Sequence, residues 1–99
     1  MILVRNTYHL TFGGSKEAMA AWREGAPLFR RAGANNLRFM TDYIGRFFTL
    51  IHESEYKSYD EFEAVLAKAG TLPGWAEFQG KFRPLVVDGH REVLRIVEI

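Results

Sequence analysis

The chain has 99 residues, 47% of them hydrophobic and 14% aromatic, and its 13 basic and 12 acidic residues are mixed along the sequence and give a net charge of +1. This composition excludes a disordered protein and provides no basic stripe for nucleic acid. The chain has no cysteine, which excludes disulfides and thiolate metal sites, and no apolar run long enough to span a membrane. We expect residues 1–99 to form a single domain that resides in the cytoplasm.

The sequence begins with a predicted strand and a predicted helix. Apolar and polar residues alternate from residue 2 to residue 12, which predicts a strand with Asn6 on its apolar face. Ser15 is a favourable N-cap for the helix that follows. The apolar residues of this helix recur at spacings of three and four, and the helix is expected to end at Gly33, a residue that suits the left-handed C-terminal position.

The middle of the chain predicts a hairpin of two strands, residues 36–42 and residues 46–53, connected through Gly45. The second strand is apolar on both of its faces. Helices on one side of a sheet cover only one of those faces. We therefore expect a second copy of the same sheet to cover the other face, which makes the protein a homodimer.

Two further helices are predicted after the hairpin. Ser58 and Glu61 have the spacing of a capping box, and the helix that they begin is expected to end before Gly70. Aromatic residues from Trp75 to Phe82 then recur at helical spacing, which predicts a short additional helix.

The end of the chain predicts the last strand and completes the order of elements. Residues 85–89 are interpreted as the end of the short helix, although their Asp-Gly pair is also typical of a hairpin turn, and residues 92–99 are expected to form the closing strand. The resulting β-α-β-β-α-β order is that of a ferredoxin-like α+β fold with a four-stranded antiparallel sheet. Two such sheets packed face to face would form a dimeric α+β barrel.

Five residues are candidates for lining a ligand pocket between the sheet and the helices: Asn6, Tyr8, Trp22, Tyr43 and Trp75. An amide among apolar side chains can orient a ligand, and aromatic side chains can enclose a flat molecule while their phenol and indole groups donate hydrogen bonds. The alternative interpretation is that Asn6 bonds to a neighbouring backbone group and that the aromatic residues are ordinary core.

A second candidate site consists of His9 and His52, which the predicted order places on the two central strands. If these strands run parallel in matching register, the two imidazoles could meet on the dimer-facing side and shuttle protons. The chain has no His-x-His or His-x-x-x-His pair, so we predict no metal site and no cofactor. It has no Gly-x-Ser-x-Gly motif either, and no catalytic residue is assigned.

Three short segments resemble the NIPSNAP family. They are Tyr8-His9-Leu10-Thr11-Phe12-Gly13 at the end of the first strand, Ile44-Gly45 before an apolar strand, and Pro73-Gly74-Trp75-Ala76-Glu77-Phe78 before the final strand. The resemblance extends over nearly the whole chain. It implies the dimeric α+β barrel superfamily, in which a cavity often lies between each sheet and its helices.

The chain also departs from that family at two positions. NIPSNAP-like strands usually carry Arg where this chain has Asn6 and Trp where it has His52. Related haem-degrading monooxygenases carry a functional Asn at the place of Asn6, but they also need a Trp in the second helix and an iron-ligating His in the next one. This chain has Val65 and residues 78–81 there, without a histidine, so the resemblance does not extend to haem degradation.

Three hypotheses of function follow from the sequence. The first is a NIPSNAP-like homodimer of undefined activity that binds a small apolar or aromatic molecule between its sheet and helices. The second is a cofactor-independent monooxygenase or isomerase that acts on an aromatic or quinone-like substrate. The third is a protein-interaction module without catalysis.

Overall fold

The computed structural model describes residues 1–99 as a four-stranded sheet with three helices. The elements are β1 (Ile2–Leu10), α1 (Ser15–Ala32), β2 (Asn35–Thr41), β3 (Thr49–Tyr56), α2 (Tyr59–Thr71), α3 (Trp75–Phe82), a short 3-10 turn (Arg83–Leu85) and β4 (Val86–Arg95). This is the predicted ferredoxin-like order, which is confirmed. None of the helices combines the length and the apolarity that a membrane span needs.

The sheet places β1 at its centre. The strand order is β2-β3-β1-β4, and every neighbouring pair is antiparallel. In this register Asn6 of β1 lies between His52 of β3 and Arg91 of β4. Directly opposite residues of antiparallel strands point to the same side of the sheet, so these three side chains share a face.

The hydrophobic core lies between one face of the sheet and the helices. Its sheet side comes from alternate residues of β1 and β3, and its helix side from the amphipathic stripes of the three helices. The fully buried side chains with the largest volumes are Tyr56, Phe29, Phe62, Phe78, Leu50, Val4 and Ser54. The aromatic residues of α1 and α3 therefore form a wall opposite the centre of the sheet.

The ends of α1 and α2 follow the predicted chemistry with one small correction. α1 begins at Ser15 itself, with Gly14 in the cap position and no side-chain cap, so the prediction of Ser15 as the N-cap is wrong by one residue. Gly33 ends the helix at φ +123°, a backbone conformation that favours glycine. The side chain of Ser58 accepts a hydrogen bond from the backbone N–H of Glu61 at 3.2 Å, which confirms the predicted cap of α2.

The strand predicted at residues 46–53 is shifted in the structure to Thr49–Tyr56. Gly45 and Phe48 both have positive φ, at +143° and +56°, and the bends they introduce keep the preceding residues out of the sheet. Phe47 is consequently 79% exposed rather than part of a strand. The expectation of a central strand that is apolar on both faces is therefore wrong.

The last strand begins earlier than predicted. Residues 86–89, interpreted as part of a helix end, belong to β4, and β4 ends at Arg95 rather than at residue 99. The backbone N–H of Thr11 donates to the carbonyl of Leu85 at 2.8 Å, so the chain already runs beside β1 at that point. Gly89 permits this close approach, because a Cβ there would lie 2.5 Å from the carbonyl oxygen of Thr7.

The face of the sheet that no helix covers, here called the open face, carries paired charges. Glu53 is only 3% exposed and accepts hydrogen bonds from Arg5 Nε at 2.6 Å and from Arg38 Nη2 at 2.6 Å. Burial opposes its ionisation, but the hydrogen bonds from Arg38 and Arg5 outweigh that effect and lower the pKa of Glu53. The open face is therefore mixed in character, and the charge of Glu53 at its centre is neutralised by two arginines.

Candidate functional site

A cavity of about 580 Å³ lies between the helix-facing side of the sheet and the three helices. The strands contribute mainly polar side chains to its wall, and the helices contribute mainly aromatic ones. The strands provide Asn6, Tyr8, His52, Val86 and Arg91. The helices and the short turn provide Trp22, Phe29, Phe62, Leu66, Trp75, Gln79, Phe82 and Arg83. An apolar cavity with a few convergent polar groups is the usual form of a small-molecule site.

Tyr8 and His52 form a hydrogen-bonded pair inside this cavity. Their Oη and Nε2 atoms lie 3.1 Å apart, and the imidazole is 3% exposed. Burial, reinforced by the positive charge of Arg91, lowers the pKa of His52 to about 3, and burial raises the pKa of Tyr8 to about 12. Both groups are therefore uncharged at neutral pH, and His52 is a poor proton acceptor there.

Asn6 and Arg91 form a second polar pair beside the first. Arg91 Nε donates a hydrogen bond to Asn6 Oδ1 at 2.7 Å, and the centre of its guanidinium lies 4.9 Å from the centroid of the Phe62 ring. The amide oxygen of Asn6 is thus paired with a cross-strand side chain rather than with the backbone. This contact fixes one end of the guanidinium at the wall of the cavity.

Two nitrogen atoms of the cavity wall have no hydrogen-bond partner although both are fully buried. They are Trp22 Nε1, which is a donor, and His52 Nδ1, which is a donor or an acceptor according to the tautomer of the ring. The two rings pack edge to face, with centroids 4.8 Å apart and an angle of 61° between their planes. Buried polar atoms are nearly always paired, and these two nitrogens are the unsatisfied polar atoms among the residues of the wall.

The structure brings together four of the five predicted pocket residues. Asn6, Tyr8, Trp22 and Trp75 all line the cavity, so the helix-facing orientation of Asn6 is now established, while their binding of a ligand stays a prediction. Tyr43 does not belong to the group, because it lies in the bent connection between β2 and β3 and is 96% exposed.

The predicted second site of His9 and His52 does not form. The two strands are antiparallel, with His9 opposite Thr49 and His52 opposite Asn6, so the imidazoles lie on different faces of the sheet. His9 instead bonds to Asp88 on the open face, while His52 joins the cavity. No group of three or more metal-ligating side chains occurs in the chain.

Sequence reasoning missed the role of Arg91. Arg91 and Val93 lie two residues apart, so they share one face of the last strand. The predicted strand began at residue 92, and Arg91 was therefore not paired with Asn6. Placing the start of β4 at Val86 pairs Arg91 with Asn6 directly.

The NIPSNAP family model matches residues 4–99. A NIPSNAP family protein of Agrobacterium tumefaciens is 20% identical and superposes with a TM-score of 0.91, covering 98% of this chain and 93% of the other. An uncharacterized NIPSNAP domain protein of Burkholderia xenovorans is 20% identical, with a TM-score of 0.86 and coverage of 98% and 95%.

A solved oxygenase has a similar fold at lower identity. The cofactor-independent oxygenase SnoaB of Streptomyces nogalater is 13% identical, with a TM-score of 0.75, and the match covers 99% of this chain and 94% of that one. At this identity the likeness establishes the fold alone. No curated protein matches the chain.

Proposed function

The chain belongs to the NIPSNAP family, and we propose that it is a cytoplasmic homodimer in which each chain binds one flat, apolar or aromatic molecule in the cavity between sheet and helices. The family match assigns no activity, so binding rather than a reaction is the core of this proposal. Its main support is the wall of the cavity, where rings enclose a space of about 580 Å³ and two buried nitrogens have no partner.

The unpartnered nitrogens favour a ligand with hydrogen-bonding atoms within its ring plane or at its edge. Leaving a buried donor unpaired costs roughly 1–3 kcal/mol, and a carbonyl or hydroxyl oxygen of a bound molecule placed against Trp22 Nε1 would relieve that cost. The surrounding rings of Trp22, Trp75 and Phe82 provide flat apolar surfaces for the rest of the molecule. A quinone combines both features.

The homodimer is supported by the open face of the sheet. Leu3, Ile51 and Leu94 lie on this face without a helix over them, and the neighbouring carboxylate of Glu53 is already paired within the chain. A second sheet can cover these residues without leaving Glu53 as an unpaired buried charge, and a stable interface of this kind buries ~1,600 Å² or more in total. A monomer at micromolar concentration would contradict this assembly.

The second candidate function is a cofactor-independent monooxygenase or isomerase that acts on an aromatic or quinone-like substrate. It is favoured by the fold shared with SnoaB and by the polar groups gathered around Asn6 and Tyr8. With its pKa near 3, His52 would not remove a proton from a substrate at neutral pH, so the substrate itself would have to ionise readily. Oxygen-dependent turnover of a quinol, absent in Asn6→Leu, would favour this function over binding alone.

The third candidate, a protein-interaction module, predicts no uptake of small molecules.

Menadione, a flat quinone, is the probe that tests the cavity. Both tryptophans of the chain line it, so a quinone bound there should quench their fluorescence saturably. Asn6→Leu removes an amide from the wall and leaves Arg91 Nε without its acceptor, and we expect affinity to fall by about tenfold, the effect of losing one hydrogen bond.

The matched control for this substitution is Asn35→Leu, because Asn35 is exposed on β2 and lies outside the cavity. This variant should bind menadione as the wild-type protein does. Quenching that never saturates would contradict the proposed function. Equal affinity of Asn6→Leu and wild type would remove Asn6 from the binding site.

A further inference from the structure

Resting on the proposed function, we propose that the molecule bound in the cavity is an anion, an aromatic or apolar ring system that carries a carboxylate, sulfonate, enolate or phenolate group held by Arg91. This inference concerns the charge of the ligand, which the shape of the cavity does not determine. It is carried by the distribution of charged side chains around the cavity and by the geometry of one of them.

The charged residues that line the cavity are all of one sign. Arg83 and Arg91 belong to the wall, and no aspartate or glutamate does. The other ionisable groups of the wall are Tyr8 and His52, whose shifted pKa values leave both neutral at pH 7. The cavity is therefore net positive under physiological conditions, although the chain as a whole carries a formal charge of only +1.

Arg91 differs in its partners from the two arginines of the open face. Arg5 and Arg38, on the open face, both pair with Glu53. Arg91 has no carboxylate within 4 Å, and its one side-chain hydrogen bond uses Nε, with neutral Asn6 as the acceptor. Its two terminal amino groups remain free to donate to an anion, and the Phe62 ring beneath the guanidinium limits its movement.

The surroundings of Arg91 strengthen its preference for an anion. Its positive charge is the smaller of the two causes that lower the pKa of His52, after burial, so its field reaches the neighbouring strands of the sheet wall. Arg91 is exposed to solvent on one side, but its guanidinium lies against the Phe62 ring, and a charge next to an apolar ring acts more strongly than one fully surrounded by water. A ligand that ionises on binding, such as an enol or a phenol, would be shifted toward its anionic form by the same field.

A pair of fluorescent probes that differ by one anionic group tests this inference. N-phenyl-1-naphthylamine is neutral, and 8-anilino-1-naphthalenesulfonate is the same ring system with a sulfonate. Energy transfer from the two tryptophans, both in the cavity wall, reports that a probe has bound to the protein, and the Arg91 variants assign that binding to the cavity. We expect the wild-type protein to bind the sulfonate probe at least tenfold more tightly than the neutral probe.

Arg91→Gln should lower the affinity for the sulfonate probe by at least tenfold and change the affinity for the neutral probe by less than twofold. Arg91→Lys keeps the positive charge but not the planar guanidinium. This variant should prefer the sulfonate probe over the neutral probe less strongly than wild type and more strongly than Arg91→Gln. Arg31→Gln removes the same charge from an exposed position of α1 outside the cavity, and should leave both affinities unchanged.

The outcomes separate this inference from the function on which it rests. Equal affinity for the two probes, or an equal loss of both in Arg91→Gln, would overturn the anionic ligand while leaving the cavity as a binding site. Failure of both probes to accept energy from the tryptophans would contradict the proposed function itself.

Discussion

Lowering the pH from 6.5 to 5 is expected to reduce the free energy of unfolding by about 2 kcal/mol, and His52→Phe is expected to abolish that loss. The pKa of His52 is about 3 in the folded protein, below its ordinary value of 6.5. The unfolded chain therefore takes up a proton first as the pH falls. The contribution of His52 to the free energy of unfolding is fully present above pH 6.5. It is lost progressively as the pH decreases toward 3, and the total loss is on the order of 4 kcal/mol.

The pH range of this measurement separates the effect of His52 from that of the buried carboxylate of Glu53. Glu53 also has a lowered pKa, and its contribution is lost only as the pH falls below its ordinary value of 4.5. Urea unfolding at pH 6.5 and pH 5, with the protein concentration held constant, measures the difference directly. His90→Gln, which replaces the histidine of β4 on the open face and away from the cavity, is the control and should keep the wild-type loss. A wild-type protein equally stable at both values, or a His52→Phe variant that still loses stability, would contradict the buried neutral imidazole.

Gly25→Ala is expected to destabilise the protein by about 1–3 kcal/mol, although alanine normally stabilises a helix relative to glycine. Gly25 lies within α1 against α3, and a Cβ there would lie 2.6 Å from Cε1 of the buried Phe78 ring. The ring cannot move freely because it packs on Trp22 at a centroid distance of 4.5 Å. The added methyl group should therefore push α3 away from α1.

Gly80→Ala provides the matched control, since Gly80 is also helical but has no atom within 4 Å of the position that a Cβ would occupy. This variant should be more stable than wild type by about 0.5–1 kcal/mol. Thermal or urea unfolding of both variants gives the comparison. If Gly25→Ala stabilised the protein as much as Gly80→Ala does, that result would contradict the close packing of α1 on α3.

Because α3 carries Trp75 and Phe82, Gly25→Ala should also weaken menadione binding.

Local chemistry determined the parts of the fold that the sequence predicted correctly. Ser58 and Glu61 define the start of α2, and Gly33 defines the end of α1, because caps and left-handed positions depend on a few adjacent residues. The period-two alternation of β1 placed Asn6 and Tyr8 on one face in the same way. These features need no knowledge of the rest of the chain.

The errors arose where tertiary pairing overrides a local pattern. The apolar residues before Thr49 are typical of a strand, but pairing with β1 begins only at Thr49, and the bends at Gly45 and Phe48 leave Phe47 outside the sheet. Residues 86–89 pair with β1 in spite of an Asp-Gly sequence that favours a turn.

These same errors limited the candidate site. The assignment of His9 and His52 to one face required parallel central strands, whereas the β-α-β-β-α-β topology makes β1 and β3 antiparallel. The cavity consequently contains His52 but not His9. Arg91 entered the site only when the register of β4 was known.

A native mass spectrum of gently purified protein in the presence of excess menadione tests most directly whether the chain is a homodimer with one ligand cavity per chain. We predict a species of twice the chain mass of 11.4 kDa that carries up to two molecules of menadione. A monomer would contradict the covering of the open face by a second copy. A dimer that takes up no menadione would contradict the cavity as a binding site for flat aromatic molecules.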